Sequence, residues 1–417
     1  MKPAEIFHSE EKIDELRDHN KRSEFDRNLV VHSEEKTDTN KKSEFLNIFQ
    51  NYLNTPVENL QEITELTSML TNYINFDADT LIEDEKTLFN QQFFEKAFIC
   101  MSFPDEGIVG NTLKLLYNMS VYLYSFRDLI RYFNQQFIDL GFDIPNRFPR
   151  LAAPSLKFIY NLFFESHEFF ALSLNRMVDL IEMTKKIDDK SLSINSVEYM
   201  FIIVKDYHDA VEFPENFLYD YLLWALSNGY NMIKVYLTIQ KALEIYNDGI
   251  EVFVHDSALI GHILSTLADT SQQSAFIPAI SILIWLIEKT DFITSTIIID
   301  IVNHIDGLLH DSGEATVKAW ELMEVISQKS KILSNQLLET NFVQNVLDVF
   351  MFESSVLADG KIKAVHALIN LILNLSEEQL NFLPMDSIIE LFEEVEIDNI
   401  IDDDLLNEVK IKLTRQD

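Results

Sequence analysis

The sequence predicts an all-α protein, a superhelix of stacked helical repeats, and three observations lead there. Only 9 Gly and 9 Pro occur in 417 residues, too few for the tight turns of a β-sandwich or for the Gly-rich loops of a nucleotide-binding sheet. From Phe45 onward, apolar residues recur at i, i+3, i+4 and i+7, with short polar breaks such as Asp188-Asp189-Lys190 and Asp311-Ser312-Gly313 and no sustained strand alternation. The helices so marked also return at a nearly constant spacing, the signature of a solenoid.

The spacing is carried by related apolar cores. SMLTNYI surrounds Asn72, LLYNMS surrounds Asn118, FIYNLF surrounds Asn161 and ALINLI surrounds Asn370. Between them lie YMFIIV, YLTIQKAL, ILIWLIE and AWELMEVI, similar in character without the Asn. With Asn72, Asn118, Asn161, Ile203, Gln240, Trp285, Glu324 and Asn370 as equivalent positions, the steps are 46, 43, 42, 37, 45, 39 and 46 residues. Their mean, a little under 43 residues, falls in the armadillo and HEAT range. The expectation is an armadillo-type α-solenoid superhelix of about eight repeats with a long concave groove, because no repeat can bury its apolar face without its neighbours. The last repeat ends in ELFEEVEIDNIIDDDLLNEVKIKL, whose acidic face suits a terminal cap.

The first 45 residues interleave basic and acidic side chains with few large apolar ones, so residues 1–45 are expected as a charged tail and 46–417 as the solenoid. The tail holds a short duplication: HSEEK at 8–12 with NKRSEF at 20–25, then HSEEK at 32–36 with NKKSEF at 40–45. A repeated recognition segment and slippage of a charged low-complexity tail both account for it.

Composition narrows function. With 47% hydrophobic and 12% aromatic residues the chain can bury a large core, which excludes a disordered protein. The single cysteine, Cys100, rules out an internal disulfide framework and a Cys-based zinc site and fits the cytoplasm or nucleus. No secretory h-region opens the chain, and apolar runs such as 280–287 are too short to span a bilayer, so membrane insertion is not expected. The net charge of −35, from 68 acidic against 33 basic residues, repels nucleic-acid backbones and anionic membranes and attracts basic proteins. Solubility alone is the other explanation.

No catalytic constellation is found: GxGxxG, P-loop, GxSxG and HExxH are absent, and Cys100 lies in an apolar FICMSF stretch that suggests a buried, inert thiol. His255 with His262, and His304 with His310, are spaced wrongly for two ligands on one helix face. The carboxylates at 402–404 and Glu393-Glu394 lack EF-hand alternation and read as a solvated face. No enzyme activity, cofactor or metal is expected.

Ser125-Phe126-Arg127-Asp128-Leu129-Ile130 places its Phe eight residues after Asn118. The chain here resembles importin-α, the adaptor for nuclear localisation signals, whose repeats end in a WALxN helix and whose second repeat carries FRDL at the same distance from its Asn. Thr71-Asn72 and Tyr160-Asn161-Leu162 resemble the first and third family repeats. Glu15-Leu16-Arg17 followed by Lys21-Arg22-Ser23-Glu24 resembles a thinned form of the segment that binds importin-β. The resemblance implies a concave peptide groove for extended, basic cargo, with Asn72, Asn118, Asn161, Tyr199, Tyr236, Trp285, Trp320, Glu324, His366 and Asn370 along it. It also implies a carrier-binding tail through Leu16, Arg17, Lys21 and Arg22, and nuclear import between cytoplasm and nucleus.

Departures from the pattern leave an alternative open. The family's Trp, four residues before the Asn, here reads Ser68, Lys114, Lys157, Tyr199, Tyr236, Ser281, Trp320 and His366, and Lys114 and Lys157 would repel basic cargo. The alternative is an armadillo scaffold for an unrelated protein partner, anchored by Tyr199, Tyr236 and Trp285. The literal WALSN at 224–228 is half a period out of register, so Trp224 is expected to be core. Asn118 and Asn161 are expected to face a solvated groove.

Overall fold

The computed structural model describes residues 38–77, 85–123, 126, 130, 134–165, 167–214, 216–246, 257–290, 295–351, 356–397 and 403–414. Among the described residues every regular element is a helix. The chain divides into two compact units, Met1–Glu212 and Phe213–Asp417, where one body from 46 to 417 was expected.

In the first unit the longer helices are α1 (Asp38–Asn54), α2 (Leu60–Asp77), α3 (Gln91–Ser102), α4 (Glu106–Tyr122), α5 (Asn134–Arg147), α6 (Ala152–Glu165), α7 (His167–Ser173), α8 (Met177–Lys185) and α9 (Lys190–Asp206). They form two layers. One is a primary row in which α2 packs on α4, α4 on α6 and α6 on α9; the other is a backing row in which α1 packs on α3, α3 on α5 and α5 on α7.

The second unit repeats the plan with α10 (Phe217–Ser227), α11 (Met232–Ile245), α12 (Ser257–Ala268), α13 (Phe276–Lys289), α14 (Ser295–Ile305), α15 (Glu314–Lys329), α16 (Lys331–Gln336), α17 (Phe342–Met351), α18 (Ala358–Asn374), α19 (Met385–Ile397) and α20 (Asp403–Thr414). Its primary row is α11, α13, α15, α18 and α20, each packed on the next, while α10, α12, α14 and α16, then α17 and α19, back it. Each unit is thus a solenoid-like stack of helices. The eight positions equated by spacing fall on primary-row helices throughout: α2, α4, α6 and α9 in the first unit, and α11, α13, α15 and α18 in the second.

Local sequence explains the ends of these helices. Asp105 and Asp189 accept from backbone N–H groups at the starts of α4 and α9, and Asn90 does so for α3, satisfying donors that the first helical turn leaves free. At the other ends, cations reach back about one period. Lys96 Nζ donates to Thr55 O just past α1. The Arg147 guanidinium donates to the carbonyls of Met101, Ser102 and Phe103 at 3.2, 3.1 and 2.7 Å. Lys329 Nζ reaches Glu288 O at 3.1 Å, and Lys412 Nζ reaches Leu373 O and Leu375 O at 2.6 and 2.8 Å. Each bond satisfies carbonyls at a helix C-terminus, where the macrodipole favours positive charge.

Three sequence expectations change. The folded part starts inside the supposed tail: α1 begins at Asp38, and Phe45 is fully buried against Phe49, Tyr73 and Phe89. The reason is the apolar face that Phe45, Ile48, Phe49 and Tyr52 make at helical spacing, so the second NKKSEF copy is structural; the first copy lies outside the described residues. Residues Thr270–Lys289 are long and apolar enough to cross a membrane by length and composition, contrary to the count of uninterrupted apolar runs. Most of that stretch is buried inside the protein, as a core helix would be. Trp224, expected in the core, is only half-buried on α10, in the backing row, with ring centroids of Tyr221 and Tyr230 at 5.6 and 5.3 Å. Cys100 is buried beside the Tyr52 hydroxyl at 3.9 Å, and burial pushes its thiol up in pKa, an inert setting as expected.

Two glycines test the packing in opposite directions. A Cβ on Gly141 of α5 would stand 2.7 Å from Ile159 Cγ1 of α6, at the point where the Ser155 hydroxyl donates to Gly141 O at 2.7 Å. Gly141→Ala should therefore cost about 1–3 kcal/mol by overpacking. Gly261 lies inside α12 with open space around it, so Gly261→Ala should stabilise by about 0.5–1 kcal/mol. Urea unfolding of both variants reads the two signs; equal effects would show that α5 and α6 are not in close contact.

Candidate functional site

Stacking buries two sides of each primary-row helix and leaves one face at the surface, so a residue's position around its helix decides whether it can meet a partner. On α2 the exposed face runs through Leu60, Glu65, Ser68, Met69 and Asn72. Asn72 is accessible.

The other sequence-predicted residues divide. Asn118 is 7% exposed, and its Nδ2 is buried without a hydrogen-bond partner among the described residues. Asn161 is half-buried, and its Nδ2 donates to Ser120 Oγ across the α4–α6 contact. Neither amide faces a solvated groove, because α4 and α6 approach through this side. Tyr199, Tyr236 and Trp320 are fully buried, which corrects their assignment as groove anchors. The Tyr199 hydroxyl pairs with Ser173 Oγ at 2.6 Å, Tyr236 with Thr266 Oγ1 at 2.7 Å, and Trp320 Nε1 donates to Leu309 O at 3.1 Å. These polar tips all turn inward to partners within the fold, as buried aromatic tips must. Burial raises the pKa of both phenols, that of Tyr236 to about 12.

Trp285 and Asn370 are half-buried on α13 and α18. Glu324 and His366 are brought together: Glu324 Oε1 accepts from His366 Nδ1 at 3.1 Å, while Lys363 Nζ stands 3.4 Å from Oε2. The His366 hydrogen bond, with Lys363 beside it, holds the Glu324 carboxyl below its usual pKa despite the opposing effect of burial. The acid that a basic cargo would need is thus already engaged by its own neighbours. Lys157 likewise pairs with Asp189 at 2.8 Å, while Lys114 stays exposed on α4. Leu16, Arg17, Lys21 and Arg22 lie outside the described residues, as do Ser125, Arg127, Asp128 and Leu129 of the SFRDLI motif; its Phe126 and Ile130 are buried.

Each unit carries a cleft on its primary row. In the first, about 690 Å³ is bounded by Leu60, Glu65 and Met69 of α2 with Asp105 at the start of α4 and Asn111 within it. In the second, about 490 Å³ lies over Leu237 of α11, Ile277 of α13, Val317 of α15 and Leu357, with Glu314 and Asp359 at its edge. Sequence reasoning missed this second set. Helix α13, FIPAISILIWLIEK, is apolar almost all round, so its periodicity does not single out Ile277 as the exposed member.

No protein-family model and no curated protein sequence matches the chain. Among solved structures, the fold is shared with an engineered protein of the Northeast Structural Genomics Consortium, with a TM-score of 0.52 at 10% identity over 91% of this chain and 99% of that one. A lower score, 0.39 at 11% identity, relates 91% of this chain to 41% of the karyopherin Kap121p, solved bound to the extreme C-terminus of the protein phosphatase Cdc14p. At that score the likeness fixes neither fold nor function.

The Glu324 pair has a pH signature. A carboxyl whose folded pKa is depressed contributes stability that is complete above its unfolded value, here 4.5, and that is lost as pH falls through the folded value. The stability difference between the wild type and Glu324→Gln should therefore shrink as pH falls below about 4.5. Urea unfolding across that range measures it, and a difference independent of pH would mean that His366 and Lys363 do not hold the carboxylate.

Proposed function

We propose that this chain is a protein-binding adaptor that holds a segment of another protein on the exposed faces of its primary-row helices. The observation that carries the reading is the stack itself: within each unit four successive helices bear the equated positions, and a cleft of mixed aliphatic and acidic lining opens on α2 and α4 in the first unit and across α11, α13, α15 and the start of α18 in the second. Such a surface offers repeated contacts and no single reaction centre, as solenoids use their long faces, and the proposal assigns the chain no catalysis. The net charge of −35 favours a basic partner by steering and by penalising acidic competitors.

A second, narrower reading is an importin-α-like adaptor of armadillo type, with about eight repeats, that carries localisation signals between cytoplasm and nucleus and meets an importin-β-type carrier through its N-terminal segment. The SFRDLI motif after Asn118 and the placement of Asn72, Asn118 and Asn161 on the first three primary-row positions, with Asn370 on the eighth, support it. Against it stand the buried Trp320 and the engaged Asn161 and Glu324, which leave Asn72 and Asn370 as the accessible amides.

Fluorescence titration of the full chain with a Lys/Arg-rich localisation peptide at about 50 and 150 mM salt, followed by hydrogen-exchange mapping, separates the outcomes. Binding that saturates at the higher salt and is lost in Asn72→Ala with Asn370→Ala supports the import reading. Binding abolished by salt removes import and leaves an adaptor for other segments. Protection on the backing-row helices in place of the primary rows would overturn the proposed surface altogether.

A further inference from the structure

The second-unit cleft is lined by the first turns of stacked helices. Ile277 and Pro278 open α13, Glu314 and Val317 open α15, and Leu357 and Asp359 flank the start of α18. Two of these starts lack a side-chain cap: the N-cap residues of α15 and α18 are Gly313 and Leu357, and neither supplies an acceptor. In the first unit, by contrast, Asp105 and Asp189 cap α4 and α9. An uncapped start presents N–H donors to whatever lies in front of it. The floor is aliphatic and partly open, with Ile277 37% and Leu357 47% exposed. Among the described residues no cation engages Glu314 or Asp359; Lys318 also lines the cleft, but its ammonium is held by Glu321 at 2.8 Å.

Resting on the adaptor reading, we infer that this cleft takes an extended segment of a partner protein bearing one aliphatic or aromatic anchor flanked by Lys or Arg. Each feature matches one part of the lining. The anchor covers Leu237, Ile277 and Val317, the flanking cation meets Glu314 or Asp359, and backbone carbonyls of the segment accept from the uncapped starts of α15 and α18. A helical segment does not fit this last requirement, because its carbonyls are already bonded within the helix. A purely basic segment leaves the aliphatic floor uncovered, and a purely apolar one leaves the two carboxylates without a counter-charge.

The test selects a random short-peptide display library against the full chain at physiological salt, then titrates the selected peptides by fluorescence anisotropy. Two variants address the lining without entering the core: Ile277→Glu, and Leu357→Ser, which removes the aliphatic contact and supplies the missing cap. The expected result is a selected motif of apolar anchor plus base whose affinity falls at least about tenfold in both variants, while the melting temperature of Leu357→Ser holds or rises. Selected peptides whose affinity neither variant changes overturn the cleft assignment and leave the adaptor reading standing. A selection that yields no saturable peptide overturns both.

Discussion

Within each unit, everything depends on the packing of each primary-row helix against the next. A single helix pair of this length exposes more apolar surface than it can cover, and the stack resolves this by making every helix both a core element and a lid for its neighbour. The α15–α18 contact illustrates it: Trp320, Met323 and Ile326 of one helix and Ala364, Val365 and Leu368 of the other are fully buried. The cations that reach back to preceding helix ends then fix the register of one repeat on another. Lys96, Arg147, Lys329 and Lys412 each do this across about one period of sequence.

The same constraint decides what remains for binding. A peptide groove needs side chains that the stack does not consume, and here the stack consumes the large aromatic ones. Tyr199, Tyr236 and Trp320 direct their polar tips to Ser173, Thr266 and Leu309, so their contribution is to the core. What reaches the surface is smaller and more varied: Leu60, Met69, Ile277 and Leu357, with carboxylates around them. That lining mixes apolar and acidic side chains. It suits poorly a ladder of indoles and amides reading lysine after lysine.

The charge acts on a longer scale. An excess of 35 negative charges surrounds the chain with a field of one sign, which salt screens over roughly 8–10 Å. Local geometry acts within that field, and the internal pairing of Glu324 with His366 and Lys363 shows that not every acid on this face acts outward.

By itself the sequence determined the secondary structure, the period and the row on which the equated positions lie. Helical periodicity and repeat spacing are local and additive, and both survive without knowledge of any contact. It also marked Cys100 as buried from its apolar surroundings. It did not determine which side of each helix stays at the surface. Asn72 and Asn118 occupy equated positions, yet one is exposed and the other enclosed, because exposure is set by how closely the neighbouring helix approaches and at what angle. Nor did it mark Ile277, on a helix apolar almost all round, or Leu357, the extended residue just before its helix. Only the tertiary structure decided that the first turns of three helices converge there on one cleft, since that convergence is a relation between segments about 40 residues apart and no local pattern encodes it.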